Sequence, residues 1–304
     1  MWFETAGDPG SLRGRLSVWW RLTLDGSGSV GALVGLLAAV VWGTGDFTGG
    51  LATRGRNPYH VLALASVAGM ICLVIAAVLR GEAWPAPATL LWSTGAGISG
   101  GIGIAALYKG LSVADAAVVS PPAAVIGAVL PVVVGAALHG RLSANEWGGI
   151  AAGLAGIWLV TGGSVSGWAS GAAGLRYAVP AGIGFGGFFV FIAQAPIGQV
   201  FAPLVVAKAV AVLLALVVVT LRGLGLPALS QHRLAFVAGV LDAAGNVLYL
   251  LAAQLTRFEI AAVISSMAPG ATVVLATLIS RQAVSNSQKV GVGMCLLAIA
   301  LILM

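Results

Sequence analysis

Asp242, Asn246 and Tyr249 stand four and three residues apart inside an apolar run. That spacing puts a carboxylate, an amide and a phenol on one face of a helix. Such a face can bind a polar substrate or carry a proton. The alternative is a hydrogen-bond network that fixes helix packing. Lys208 is the deepest cation of the chain and lies in the preceding apolar run. Counted from the turn joining the two runs, Lys208 is about five residues deeper than Asp242. At 1.5 Å per residue the mismatch is about 7 Å, which a long lysine can partly span. The pair is therefore expected either to couple to an anionic substrate group or to stand as a static ion pair. Asp46 follows Trp42 by four residues near the end of the first apolar run. It is a candidate to titrate in a vestibule or to cap the local turn. Each intramembrane charge costs about 2.5–3.5 kcal/mol on insertion scales, so each is informative.

The surroundings of these residues exclude most soluble chemistry. Charged residues make up 8% of the 304 positions, hydrophobic residues 59%, and the mean hydropathy is +1.03. Soluble domains carry roughly 25% charged residues. A soluble enzyme, a nucleic-acid-binding domain and a disordered chain are excluded, and the pattern is not that of a β-barrel. Ten apolar runs follow one another at 30–51, 59–79, 88–107, 114–138, 147–160, 175–195, 201–221, 234–251, 260–279 and 290–304. About 20 apolar residues cross a bilayer as a helix. The expected fold is an all-α polytopic membrane protein with ten transmembrane helices and short connecting turns. The net charge of +6 is spread over those turns and reads as orienting charge. Residues 1–29 form a tail. Leu12, Leu16 and Trp19 fall on one helical face there, so a short interfacial helix, a disordered tail and a start further along the chain all remain open.

The chain repeats itself. Ala116-Ala-Val-Val-Ser120 returns as Ala261-Ala-Val-Ile-Ser265, each after an acidic residue, Asp115 and Glu259. Those two carboxylates read as caps of helix N-termini. Both stretches lead into proline-bearing helices, with Pro121, Pro122 and Pro131 in one and Pro269 in the other. Kinks there are expected to line a cavity, because carbonyls freed at membrane depth must face protein or water. The offset of about 143 residues divides the chain into 30–163 and 171–304, with five helices in each. Five is odd, so the expected arrangement is a 5+5 inverted repeat, a recurrent plan of secondary transporters. The alignment sets Phe189 opposite Asp46, so the halves are not chemically symmetric.

Three stretches carry a family resemblance. They are Val40-Val-Trp-Gly-Thr-Gly-Asp-Phe-Thr-Gly-Gly50, the segment from Ala106 to Pro122, and Leu241-Asp-Ala-Ala-Gly-Asn-Val-Leu-Tyr249. With the duplicated ten-run layout, they resemble EamA-type members of the drug/metabolite transporter superfamily over residues 30–304. The resemblance implies a 5+5 bundle that moves small metabolites by alternating access, with both termini inside. The family often has a Gly-Glu-Arg turn after the fourth and ninth helices. Here the equivalents are His139-Gly-Arg141 and Arg281-Gln-Ala283, with no acidic residue in either.

Other motifs fail on context. Gly95-Ala-Gly-Ile-Ser-Gly100 matches GxGxxG but lies inside an apolar helix with no preceding strand, so no dinucleotide is implied. Gly97 and Gly101, Gly149 and Gly153, and Gly182 and Gly186 form GxxxG pairs that let helices approach closely. The three histidines stand in separate turns, Cys72 and Cys295 show no CxxC spacing, and no metal or cofactor is implied. The reading is a secondary active transporter of a small metabolite or drug-like molecule, with proton or cation coupling. It is not an enzyme, and it sits as a multi-pass protein in the plasma (inner) membrane, as a monomer or homodimer in the lipid bilayer. A membrane-embedded enzyme acting on lipids, and a structural membrane protein, are the alternatives.

Overall fold

A computed structural model describes residues 27–53, 57–111, 116–140, 142–161, 172–223, 233–280 and 285–303. The tail up to residue 26, Asp115, Arg141, and the turn 281–284 lie outside the described residues. Among the described residues all regular structure is helical. The helices are α1 (Ser27–Ala52), α2 (Pro58–Arg80), α3 (Pro87–Leu111), α4 (Ala116–His139), α5 (Ala144–Val160) and α6 (Ala172–Ile192). They continue with α7 (Phe201–Leu221), α8 (Arg233–Leu255), α9 (Phe258–Ser265), α10 (Ala268–Ser280) and α11 (Asn286–Leu303).

Eight segments are long and apolar enough to cross a membrane: α1 to α4, α6 to α8, and the combined α9–α10 stretch. The runs expected to be the fifth and tenth spans form shorter helices, of 17 residues in α5 and 18 in α11. The ninth run is two helices rather than one. Pro269 has no N–H to donate to the Ser265 carbonyl, and its ring crowds that carbonyl. The first piece accordingly ends at Ser265 and the next begins at Ala268. α4 behaves differently, running from Ala116 to His139 through Pro121, Pro122 and Pro131 without interruption.

Helix ends follow local chemistry. Asn57 accepts from the Tyr59 amide at the start of α2, and Pro58 occupies the first helical position, where no N–H is needed. Gly81 ends the same helix at φ 62°, a left-handed conformation that a glycine adopts without strain. Ser143 and Glu146 open α5 with a reciprocal capping box.

The helices pack through small residues. α1 lies along α8, α3 along α6, α5 along α11, and α2 along α7. α4 packs on α6, while α1 packs on α9 and α10. Contact through glycine faces replaces the hydrophobic driving force that lipid removes. The GxxxG pairs sit at these crossings. A Cβ on Gly97 would meet Val210 of α7, one on Gly182 would meet Ile126 of α4, and one on Gly149 would meet Ile302 of α11. Large apolar side chains such as Leu79, Leu91, Leu221 and Leu278 point outward instead, as an apolar solvent allows.

The α3–α6 crossing is the tightest test of this packing. A Cβ on Gly184 would lie 2.5 Å from the Gly103 Cα, which is backbone and cannot move aside. Gly293 in α11 has nothing within 4 Å of such a Cβ. Gly184→Ala is therefore expected to destabilise the protein by about 1–3 kcal/mol through overpacking. Gly293→Ala should leave it unchanged or raise stability by up to about 1 kcal/mol, because alanine favours helix. Thermal melting of the two purified variants in detergent checks the contrast; equal shifts would show that α3 and α6 do not approach as described.

Candidate functional site

α7 and α8 bring the two expected charges into contact. The Lys208 Nζ donates directly to the Asp242 Oδ2. The lysine side chain is 14% accessible and the aspartate 47%. The ammonium is thus held inside the bundle, while half of the carboxylate stays open. The lysine stem lies beside a close crossing of two glycines. α2 and α8 cross where Gly69 faces the Gly239 carbonyl, and a Cβ on Gly239 would overlap the Ala65 backbone. A Cβ on Gly69 would sit 3.5 Å from the Lys208 Cε. The cross-helix salt bridge therefore depends on a backbone crossing that a larger residue would spread apart.

α1 supplies Trp42 and Asp46 to the same region. The Trp42 indole N–H donates to the Asp242 backbone carbonyl at 3.2 Å. A Cβ on Gly245 would overlap the indole, so this glycine forms the notch in α8 that receives the ring. Asp46, one helical turn beyond Trp42, has an exposed side chain. Its neighbour Gly45 packs on α8, where an added Cβ would lie 3.6 Å from the Asp242 backbone nitrogen. Two carboxylates and one ammonium thus share the ground between α1, α7 and α8.

The expected stripe on α8 divides by role. Asn246 is 6% accessible and donates its amide to the Asp242 carbonyl one turn back. Tyr249 is fully buried, and its hydroxyl donates to the Phe189 carbonyl of α6 at 2.9 Å. Both polar ends are satisfied by backbone, the arrangement that lets a polar group stay buried. Trp42, Phe189 and Tyr249 form one aromatic cluster. Phe189 and Tyr249 have centroids 4.6 Å apart, Trp42 and Phe189 5.8 Å, and Trp42 and Tyr249 stack at 6.1 Å. Of the three, Asp242 keeps a half-open carboxylate, while the Asn246 amide and the Tyr249 hydroxyl are bonded to backbone carbonyls.

The prolines belong to α4 and α10. Pro121 and Pro131 are fully buried within α4, and Pro122 is buried beside them. Pro269 is half-buried at the start of α10. Its helix break packs on α1, where Thr272 donates to the Gly43 carbonyl at 3.0 Å and Ser265 to the Gly35 carbonyl at 3.3 Å. Among the described residues no group of His, Cys, Asp and Glu is arranged to hold a metal ion.

Glu259 stands in the first turn of α9, as expected of a carboxylate that opens a helix, and it has partners beyond that role. Its carboxylate is fully buried, takes the Arg257 Nε–H at 2.6 Å, and lies 3.3 Å from the His139 Nδ1. A carboxylate can only accept, so the imidazole carries its proton on Nδ1. No local pattern announced this group, because His139 is 120 residues away in sequence.

Residues 29–162 match the family model of the EamA-like transporter family. This segment, a little under half of the chain, is similar to EamA-like transporters. Among the described residues eight segments are long and apolar enough to cross a membrane, so the chain has the make-up of a multi-pass membrane protein. A solved crystal structure titled only as that of a protein superposes on it with a TM-score of 0.72. The match covers 90% of this chain and 96% of the other at 21% sequence identity. At that identity it speaks for the fold alone, over both the EamA-like segment and most of the chain beyond it. No curated protein matches the chain.

The accessibilities make the ion pair asymmetric. Asp242→Ala strands a charge that is 86% enclosed, whereas Lys208→Ala leaves a carboxylate already half open. The first should cost about 3–5 kcal/mol and the second about 1 kcal/mol. The double variant should cost less than the sum of the two. A double-mutant cycle on thermal or denaturant stability checks both points; additive losses would mean that the pair contributes no coupling.

Proposed function

We propose that the EamA-like chain is a secondary active transporter that moves a small metabolite or drug-like molecule by alternating access. In this reading ten helices cross the plasma (inner) membrane, five from residues 30–163 and five from 171–304, as an inverted repeat. The pattern of helix contacts supports the duplication. Advancing every helix by one half turns the α1–α8 contact into α6–α3, and α4–α6 into α9/α10–α1, while α2–α7 and α5–α11 map onto themselves. Each of these contacts is present. A repeat of five spans reverses direction between copies, which favours a two-fold axis in the membrane plane. The short helices α5 and α11 pack on each other and complete the tenfold count.

The observation that carries the reading is the buried Lys208 ammonium bonded to a half-open Asp242 carboxylate. An intramembrane ion pair with one exposed member is poised for exchange of partners. Protonation of Asp242 would release Lys208 to an anionic group of the substrate, and deprotonation would draw it back. Asp46 adds a second carboxylate that can take up a proton, a cation or a basic substrate group. Trp42 offers the edge of the aromatic cluster as an apolar wall. Asn246 and Tyr249 act as positioning residues that fix α8 against α1 and α6. The protein works as a monomer or homodimer.

Asp242→Asn tests the coupling role, since the amide keeps an acceptor for Lys208 but cannot carry the proton. In vesicles the variant should retain substrate exchange at equal concentrations and lose uphill accumulation by at least tenfold. Accumulation equal to that of the unaltered protein would remove Asp242 from the coupling path. Exchange and accumulation in Lys208→Gln, measured alongside, distinguish loss of coupling from loss of binding.

A further inference from the structure

A set of polar links lies at one end of the bundle, away from the Lys208–Asp242 pair. Glu82, in the connection between α2 and α3, accepts from the Val200 amide at 2.9 Å and the Ala202 amide at 2.6 Å. These are the free N–H groups at the start of α7, where a carboxylate is favoured. Gln254, 8% accessible near the end of α8, holds the connection that leads into α7. It accepts from the Gly198 amide at 3.2 Å and donates to the carbonyls of Pro196 and Gln199 at 3.2 and 2.9 Å. Three residues on, Arg257 donates to Glu259 and also to the Gly140 carbonyl at 3.2 Å, while His139 closes on Glu259 from the end of α4.

The contacts themselves place these groups at one end. Glu82 meets the start of α7, Gln254 meets the same connection, and Arg257 is less than one turn from Gln254. Two of the links join parts of the chain that the repeat assigns to opposite halves. One is Glu82 with α7, and the other is His139 and Gly140 with Arg257 and Glu259. Glu259 is the most committed member. All eight residues of α9 are buried. Gly135 of α4 leaves the space for the carboxylate, because a Cβ there would overlap it. A buried carboxylate with two basic partners is stable only while those partners stay. Once the helices separate, water can solvate all three groups. Such a contact has two satisfied states, together and apart.

We propose that Glu82, Glu259 and their partners form a gate that is shut in this structure and that closes this end of the bundle to the Lys208–Asp242 pair. The proposal rests on the alternating-access reading, in which the halves must part at each end in turn. The pair then communicates with the opposite end, where α7 finishes at Leu221. Arg257 and His139 hold Glu259 across the gate, and Glu82 pins the start of the helix that carries Lys208. Opening therefore frees α7 at the end nearer its lysine.

The test uses Asn246→Cys as a buried reporter beside Asp242, in full-length protein with Cys72 and Cys295 replaced by alanine. A membrane-impermeant, positively charged methanethiosulfonate is added from one side at a time. A separate Trp84→Cys protein marks the side of the Glu82 end. With the gate residues intact, the reporter should be labelled slowly or not at all from the Glu82 side. Glu259→Gln should raise the labelling rate from that side at least tenfold, and so should Glu82→Ala. The second variant lies in a connecting segment and keeps the experiment decisive if loss of Glu259 prevents folding. Unchanged labelling from the Glu82 side in every variant that folds would overturn the gate. Rapid labelling from that side with the gate intact would overturn it equally. If no substrate is transported but the variants still open the Glu82 side, the gate stands and the transport reading fails.

Discussion

The central constraint on this fold is the cost of holding a charge where water is scarce. Lys208 is enclosed by helices, and its charge is sustained by Asp242. That requirement reaches into the backbone. The lysine stem passes the Gly69–Gly239 crossing, the Asp242 helix is notched at Gly245 for Trp42, and the Trp42 indole fastens α1 to the carbonyl of the same aspartate. Small residues and charge are thus two sides of one arrangement. Where helices come close enough to exclude lipid, an ion pair can be built, and where the pair is built, its helices are held in register.

Glu259 meets the same constraint differently. Lys208 and Asp242 leave one partner open, whereas Glu259 is closed on both oxygens by Arg257 and His139. The half-open pair suits an exchange of partners. The closed one suits a contact that is either made or broken. Two charge clusters in one bundle can therefore do different work, and the difference lies in solvent access rather than in residue type.

Most of the helical framework was legible in the sequence because lipid imposes a simple rule: a spanning segment must be a long apolar helix. The runs, the short turns and the GxxxG crossings obey it. The meeting of Lys208 and Asp242 was legible because adjacent antiparallel spans fix relative depth. The partners of Glu259 were not, since His139 comes from a distant helix and depth alone does not choose among neighbours. The Trp42 bond was hidden for another reason: its acceptor is a backbone carbonyl, which every residue carries. Pro269 and the α4 prolines show the limit of reading residue type without context. The same residue breaks one helix and is absorbed by another.

The ion pair also bears on how the chain enters the bilayer. Lys208 precedes Asp242 by 34 residues, so during synthesis α7 emerges with its charge unmatched. Its sequence can carry that load. Thirteen of its 21 residues are Leu, Val or Phe, each contributing about −0.3 to −0.6 kcal/mol to insertion, against about +2.5 to +3.5 for the lysine. The sum favours entry without help. α8 is less apolar and brings Asp242, Asn246 and Gln254, but it arrives to find the ammonium already in place. The order of the helices along the chain thus lets the self-sufficient span go first and serve as the receptor for the needier one.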